Sequence, residues 1–166
     1  MRLLQVMWEF DQYSKGGDPN GHSVMQRLES WKAAMGVIKS NPLFGVGTGD
    51  LPRQVFKQYQ LMNSKLNSNH LLRPHNQYLA IAVAFGMAGL CYFLYALCYP
   101  LFFSKNRNYF YLVFFLILVI SMLTEDTLET QPGATFFAFF NALFLFGMPM
   151  PQRSTNETYE LTNYEK

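Results

Sequence analysis

One continuous apolar segment, Tyr78–Phe103, most constrains how this chain can fold. A helix rises about 1.5 Å per residue, and about 20 apolar residues cross a bilayer. The segment is therefore predicted to be a membrane-spanning helix, with Gly86 and Gly89 as small residues for close helix contacts. Two more apolar segments follow, Tyr109–Leu123 and Ala134–Met148. Both are short for complete spans, so they are predicted to cross with little tilt or to be partly re-entrant.

The loops between the apolar segments differ in charge. Residues 104–108 carry two basic residues, whereas residues 124–133 carry three acidic ones and no basic one. The positive-inside rule puts the basic loop in the cytoplasm together with the polar tail, residues 151–166, which we expect to be disordered. It puts residues 1–77 and 124–133 outside the cytoplasm. The alternative is the inverted orientation.

The fold class predicted from this organisation is an all-α membrane protein in three parts. Residues 1–77 form an extracytoplasmic loop with amphipathic helices, residues 78–150 form a membrane region with about three helices, and residues 151–166 form the tail. No apolar span precedes residue 78 in this sequence. Because export of residues 1–77 requires such spans, we expect the chain to be the C-terminal part of a larger polytopic protein.

The first long amphipathic helix of the loop is predicted from Ser23 to about Ser40. Ser23 with Gln26 matches a capping box, and Asn41-Pro42 ends the helix. Its apolar residues recur at helical spacing and form a stripe made of Val24, Leu28, Trp31, Met35 and Ile38. An adjacent stripe consists of Arg27, Trp31, Ala34 and Ile38.

A glycine-rich segment, residues 44–50, follows this helix. It lacks the third glycine and preceding strand of a dinucleotide fingerprint, and the Lys-Ser/Thr of a phosphate-binding P-loop. We therefore interpret it as a tight turn between helices. Asp50 is predicted to cap the next helix, with Pro52 in its first turn and its end near Met62.

Charge separates this region from the rest of the chain. Residues 20–76 contain seven basic residues and two acidic ones, a net charge of +5, while the whole chain has a net charge of +2. Such a surface suits an anionic partner at a membrane, either lipid headgroups or a lipid-linked diphosphate. Nucleic acid is not an expected partner beside three membrane spans. No Cys and His spacing matches a structural zinc site.

Two residues stand out as candidates for chemistry. His75, after Pro74, is predicted on the first turn of the spanning helix, where unpaired N–H groups favour the neutral imidazole that accepts a proton. The alternative is an amphipathic anchor at the membrane surface. Arg27 lies one turn before Trp31, and its guanidinium is suited to bidentate contact with a phosphate. The alternative is a surface arginine that snorkels.

Several motifs together resemble the O-antigen ligase and polymerase family. They are Arg27-x-x-x-Trp31, the segment Asn41–Asp50, Pro74-His75-Asn76-x-Tyr78-Leu79, Gly86-x-x-Gly89 and, as in a subset of the family, Glu125-Asp126-x-x-Glu129-x-Gln131. The resemblance implies a multi-pass inner-membrane enzyme of GT-C type architecture with a large periplasmic loop. Such enzymes move a glycan, without a metal or other cofactor, from undecaprenyl diphosphate to lipid A–core in ligases, or to another lipid-linked repeat unit in polymerases.

The resemblance also implies roles for individual residues. Arg27 would bind the donor diphosphate and His75 would be the base that activates the acceptor hydroxyl. Trp31, Arg73 and Asn76 are the remaining candidate substrate-binding residues. The family has a further arginine in an earlier part of the protein, and this sequence contains no counterpart. The alternative function is a non-catalytic membrane subunit or remnant that docks anionic lipid.

Overall fold

The computed structural model describes residues 2–20, 22–66, 73–103 and 109–147. The regular secondary structure of these residues is helical, with no β-strand among them. The helices are α1 (Arg2–Ser14), α2 (Ser23–Ser40), α3 (Leu51–Leu61), α4 (Gln77–Phe103), α5 (Tyr109–Thr124) and α6 (Gln131–Ala142), with a 3₁₀ turn (Thr127–Glu129) before α6 and a π-helical turn (Leu143–Gly147) after it. The all-helical prediction is confirmed for these residues. The predicted basic loop at 104–108, the end of the third apolar segment at Met148 and the tail at 151–166 lie outside them.

Within the described residues, one helix is long and apolar enough to cross a membrane, Gln77–Phe102 with 26 residues. It matches the first predicted span. Helix α5 matches the second apolar segment but has only 16 residues. Helix α6 begins at Gln131, three residues before the predicted start, because the Thr130 hydroxyl accepts a hydrogen bond from the Gly133 amide and caps the helix.

Helix α4 is interrupted at Gly86, whose φ of 68° and ψ of −169° lie outside the helical region. Residues 41–47, here called the docking loop, lie against this interruption. Its backbone hydrogen bonds run from Val46 N to Val83 O (2.9 Å), from Gly47 N to Ala84 O (2.8 Å), from Met87 N to Pro42 O (2.8 Å) and from Ala88 N to Leu43 O (3.2 Å). The loop thus satisfies backbone groups on both sides of the break that a continuous helix would pair internally.

The prediction that Gly86 packs against another helix is wrong. A Cβ atom on Gly86 would lie 2.3 Å from the backbone carbonyl of Leu43, so its close contact is with the docking loop. On the other side, Gly45 has a φ of 68°, and a Cβ there would lie 2.5 Å from Val83 O. Two glycines therefore let two backbones meet. The predicted turn between helices is confirmed, and its glycines serve this contact.

Two clusters of buried apolar residues stabilise the chain. The first joins α2, α3 and the beginning of α4 through Ala33, Ala34, Val37, Ile38, Leu51, Val55, Tyr59, Leu66, Ala82, Val83 and Ala84. The second joins the later part of α4 to α5 through Leu97, Leu118 and Met122, with Phe137 of α6 against it. Both clusters extend across the break, since Leu90 packs against the first cluster and Tyr78 against the second.

The face that α2 buries includes only Ile38 from the first predicted stripe, and Ala34 and Ile38 from the adjacent one. The buried residues of the helix are Met25, Gln26, Glu29, Ser30, Ala33, Ala34, Val37 and Ile38. Small alanines face the core because they allow α3 and α4 to approach closely, while Trp31 turns toward the segment before α4. The capping box is also wrong, since His22 occupies the cap position and no side chain caps the helix.

Helix α3 follows its prediction more closely. Asp50 is the N-cap residue, Pro52 lies in the first turn and Met62 is the C-cap residue. The Asp50 carboxylate makes no capping hydrogen bond, however, and lies 3.7 Å from the Arg53 guanidinium.

Candidate functional site

Three segments meet where α4 begins. They are one face of α2, the residues 73–76 before α4, and the residues 125–129 between α5 and α6. The indole Nε1 of Trp31 donates a 2.7 Å hydrogen bond to the Pro74 carbonyl, which ties α2 to the second segment. The amide of Leu128 donates a 2.8 Å hydrogen bond to Gln77 Oε1, which ties the third segment to the first turn of α4. Residues far apart in sequence thereby share one polar surface at the end of the apolar helices.

His75 lies at the centre of this surface. It precedes α4 by two residues, so its prediction on the first turn of the helix is wrong. Its φ of 42° is in the left-handed region, which is uncommon for residues other than glycine and is frequent at functional sites. Asn76 follows it as the residue that caps α4, and this is why the helix cannot start earlier.

The His75 ring faces two carboxylates. Its Nδ1 is buried and lies 3.6 Å from Glu125 Oε2 and 3.6 Å from Asp126 Oδ1. These distances are slightly longer than hydrogen bonds, so the buried Nδ1 has no hydrogen-bond partner among the described residues. Carboxylates beside Nδ1 favour the tautomer with its proton on that nitrogen and leave Nε2 as the acceptor. A third of the His75 side chain is exposed, although Nδ1 is buried.

Asn76 is buried, with 7% of its surface exposed. Its Oδ1 accepts a hydrogen bond from Leu79 N at 3.0 Å, which caps α4. Its Nδ2 donates to Leu123 O at 2.9 Å, the last turn of α5. Both ends of the amide thus hold protein groups, and the side chain fixes the start of α4 against the end of α5.

Both candidate arginines pair with the acidic segment. Arg27 Nη2 lies 3.0 Å from Glu125 Oε1, and Arg73 Nη1 lies 3.3 Å from Glu129 Oε2. Both arginine side chains remain more than a third exposed. Desolvation and then the nearby Asp126 raise the pKa of Glu129, and Arg73 lowers it by a smaller amount. Because a guanidinium has five N–H donors, each arginine can keep its carboxylate and still bind an anion.

The same cluster has the composition of a cation site. One ligand atom from each of His75, Glu125 and Asp126 lies within 4.8 Å of the others. These are ligand types that divalent cations accept. The Arg27 guanidinium already pairs with Glu125 and opposes a cation there, because it neutralises one of the three candidate ligands.

The structure brings all five predicted site residues, Arg27, Trp31, Arg73, His75 and Asn76, to this one surface. The contacts of Arg27, Arg73 and His75 with Glu125, Asp126 and Glu129 were not predicted from the sequence. A signal was present, because the positive-inside rule put residues 1–77 and 124–133 on the same side. Gln77, only 3% exposed, was missed altogether, since a glutamine beside an apolar segment resembles an ordinary helix boundary.

Comparison with known proteins adds an independent observation. The family model described as O-antigen ligase matches residues 4–94, more than half of the 166 residues. No curated protein and no solved structure matches the chain. The matched range contains Arg27, Trp31, Arg73, His75 and Asn76, and it ends before the acidic segment. The chain therefore belongs to the O-antigen ligase family.

Proposed function

We propose that this chain carries the catalytic residues of an O-antigen ligase that moves a glycan from undecaprenyl diphosphate to lipid A–core. The family is membrane-embedded and is associated with glycosyl transfer from lipid-linked glycans. The observation that supports the proposal is the convergence of Arg27, Arg73 and His75 beside the end of an apolar helix. The proposed location is the bacterial inner membrane, with this surface on the periplasmic side.

In the proposed mechanism, the two arginines bind the diphosphate of the donor. Negative charge develops on the diphosphate as the bond to the sugar breaks, and guanidinium groups stabilise it through charge-assisted hydrogen bonds. Arg27 uses one nitrogen for Glu125, and its side chain is 39% exposed. Its remaining donors are the ones we assign to phosphate oxygens. Arg73, which pairs with Glu129 and is 59% exposed, would act in the same way.

His75 would act as the general base. With Nδ1 turned toward Glu125 and Asp126, Nε2 accepts the proton of the acceptor hydroxyl as the hydroxyl oxygen attacks the anomeric carbon of the donor sugar. A new carbon–oxygen bond forms, and the bond from the anomeric carbon to the phosphate oxygen breaks. The electron pair of that bond leaves with the diphosphate. Asp126, with 18% of its side chain exposed, would orient the imidazole.

Trp31 and Asn76 support this constellation as positioning residues. Trp31 donates to the carbonyl of Pro74, the residue before His75, and Asn76, the residue after it, is bonded through its own side chain to α4 and α5. The left-handed conformation of His75 is therefore held on both sides. Because misplacement of a catalytic group by about 1 Å can cost a hundredfold in rate, such support is needed.

The test is transfer in cells that lack their own ligase and express the full-length protein. His75→Ala should lower attachment of O-antigen to lipid A–core by about 10²–10⁴, the usual contribution of a general base, without lowering membrane abundance. Lys57→Ala, an exposed change on α3, is the matched control and should retain transfer. Near-normal transfer by His75→Ala would make His75 an interfacial anchor.

The same cells separate the alternatives. If the protein lengthens carrier-linked chains without attaching them to lipid A–core, it is a polymerase, and the acceptor is another lipid-linked repeat unit. If a stable protein at normal abundance supports neither reaction, its basic surface serves only to dock anionic lipid. Both outcomes would reject the ligase assignment.

A further inference from the structure

The tip of the docking loop exposes two large apolar side chains. Leu43 is 58% exposed and Phe44 is 76% exposed, although both follow a polar helix end and precede glycines. Exposing this much apolar surface to water is unfavourable by about 25 cal/mol per Å². Adjacent apolar side chains at the tip of a loop are typical of a surface that contacts another apolar phase.

Several backbone groups of the docking loop, on either side of the tip, are hydrogen-bonded to protein. Amides of Val46 and Gly47 donate to α4 carbonyls, and the carbonyls of Pro42 and Leu43 accept from α4 amides, at distances of 2.8–3.2 Å. The amide of Gly45 donates to Asn41 O at 3.2 Å. In hydrocarbon, irregular backbone is tolerated only where its polar groups are bonded to protein. The docking loop meets this requirement for each of these groups.

The tip is also continuous with apolar surface on the helix that can span a membrane. Phe85 and Met87, on either side of the break at Gly86, are 51% and 45% exposed. The contact between the docking loop and α4 brings Leu43 and Phe44 alongside them. Lys39, in the last turn of α2, is exposed and supplies a cation a few residues from the tip. Apolar tips with flanking cations suit an anionic membrane surface.

We propose that the Leu43–Phe44 tip inserts among lipid acyl chains next to α4, with Lys39 at the level of anionic headgroups. The interruption at Gly86 then has a physical purpose, because it frees the α4 backbone groups that bond the carbonyls of Pro42 and Leu43 and the amides of Val46 and Gly47 as the turn enters the lipid phase. The tip anchors α2 and α3 on the bilayer, independently of whether the surface around His75 transfers a glycan.

The test is spin-label accessibility in the full chain, reconstituted into vesicles of phosphatidylethanolamine and phosphatidylglycerol. Cys91 and Cys98 are replaced by Ala, and Phe44→Cys carries a nitroxide. Relaxation by oxygen, which concentrates in lipid, is compared with relaxation by a water-soluble nickel chelate. Leu43→Cys is a second, independent probe of the same tip. Thr48→Cys is the matched control, since it is exposed in the same inter-helix segment between glycines that have open space around them.

We expect labels at positions 43 and 44 to be several times more accessible to oxygen than to nickel, and the label at position 48 to show the reverse order. High nickel accessibility at both tip positions would mean that the tip lies in water and would overturn the proposal. Low accessibility to both reagents would mean that protein covers the tip, and this would also overturn it.

Discussion

At the scale of single residues, the site depends on how each cation is shared between the protein and an anion. Arg27 and Arg73 each keep a carboxylate partner, at 3.0 Å and 3.3 Å, and each remains partly exposed. Exposed ion pairs of this kind contribute little to stability, typically below about 1 kcal/mol. Their contribution is geometric, because they position two planar donor groups near His75, as the proposed binding of a diphosphate requires.

The first residue-scale prediction concerns the shape of the Arg27 cation. Arg27→Lys keeps the charge but loses the planar fork that can bind Glu125 and a phosphate together. We expect glycan transfer to fall roughly tenfold to a hundredfold, the range for losing a charge-assisted hydrogen bond. Arg53→Lys, at an arginine whose side chain is 81% exposed on α3, is the control and should be nearly silent. Equal, mild losses in both variants would show that only general basic charge matters.

The second prediction concerns pH and Glu129. Desolvation, then Asp126, raise its pKa above the ordinary 4.5, against the opposing effect of Arg73. The folded protein therefore binds this proton more tightly than the unfolded chain does. The resulting stabilisation is fully present below the unfolded pKa and is lost as pH rises through the raised folded pKa.

Glu129→Gln removes this proton equilibrium. The thermal midpoint of the variant in detergent should therefore rise relative to that of the unmodified protein as pH increases from about 4 to about 7. Asp18→Asn is the opposite control, because hydrogen bonds from Asn20 lower the pKa of Asp18. A difference between Glu129→Gln and the unmodified protein that does not change with pH would contradict the assignment.

At the scale of elements, the contact between the docking loop and α4 is the most sensitive feature. Gly86 and Gly45 both have positive φ, and a Cβ on either would meet backbone atoms of the other segment at 2.3–2.6 Å. Backbone atoms cannot rotate away as a flexible side chain can. The two segments must therefore separate, or lose hydrogen bonds, if either glycine gains a side chain.

Four alanine substitutions separate conformational strain from steric overlap. Gly86→Ala and Gly45→Ala combine both effects and should destabilise the protein by more than about 3 kcal/mol. Gly47→Ala has positive φ but no atom within 4 Å of the new Cβ, so it should cost about 1–2 kcal/mol. Gly49→Ala has neither problem and should be close to neutral. Thermal unfolding of the four variants gives the order, and a Gly86→Ala variant as stable as Gly49→Ala would show that the docking loop does not lie against α4.

At the scale of the whole molecule, two ion pairs join segments that precede α4 in the sequence to the segment that follows α5. Arg27 and Glu125 are separated by 98 residues and Arg73 and Glu129 by 56. Such contacts can form only if α2 and residues 125–129 lie on the same side of a membrane. The charge of the loops predicts the same arrangement, and the positive-inside rule predicts that the basic loop is in the cytoplasm.

The topology prediction is tested with a maleimide that does not cross the inner membrane, in a background in which Cys91 and Cys98 are Ala. Cysteines at Asp50 and Thr130 should both react from the periplasm, because Asp50 is the N-cap residue of α3, which packs on α2, and Arg27 of α2 pairs with Glu125 in the segment that precedes Thr130. A cysteine at Asn106 should react only after the inner membrane is opened. Reaction of Thr130→Cys from the cytoplasmic side alone would reject this arrangement.

Several features of this protein follow from the sequence alone. The bounds of α4 and α5 match the apolar segments within one residue, since hydrophobicity and length are local properties. Asp50 and Pro52 mark the start of α3, because cap and first-turn preferences are also local properties. The family motifs single out Arg27, Trp31, His75 and Asn76, and the family match covers them.

Tertiary structure decided the rest. The face that α2 buries depends on which helices pack against it. Ala33 and Ala34 are buried because α3 and α4 pack closely there. The break at Gly86 was not predictable, since glycine is compatible with both a helix and its interruption until the docking loop supplies the missing hydrogen bonds. His75 lies before the first turn of α4 and not in it, because Asn76 is the residue that caps the helix. Its carboxylate partners come from a segment about 50 residues away, which only packing of α5 against α4 could bring within reach.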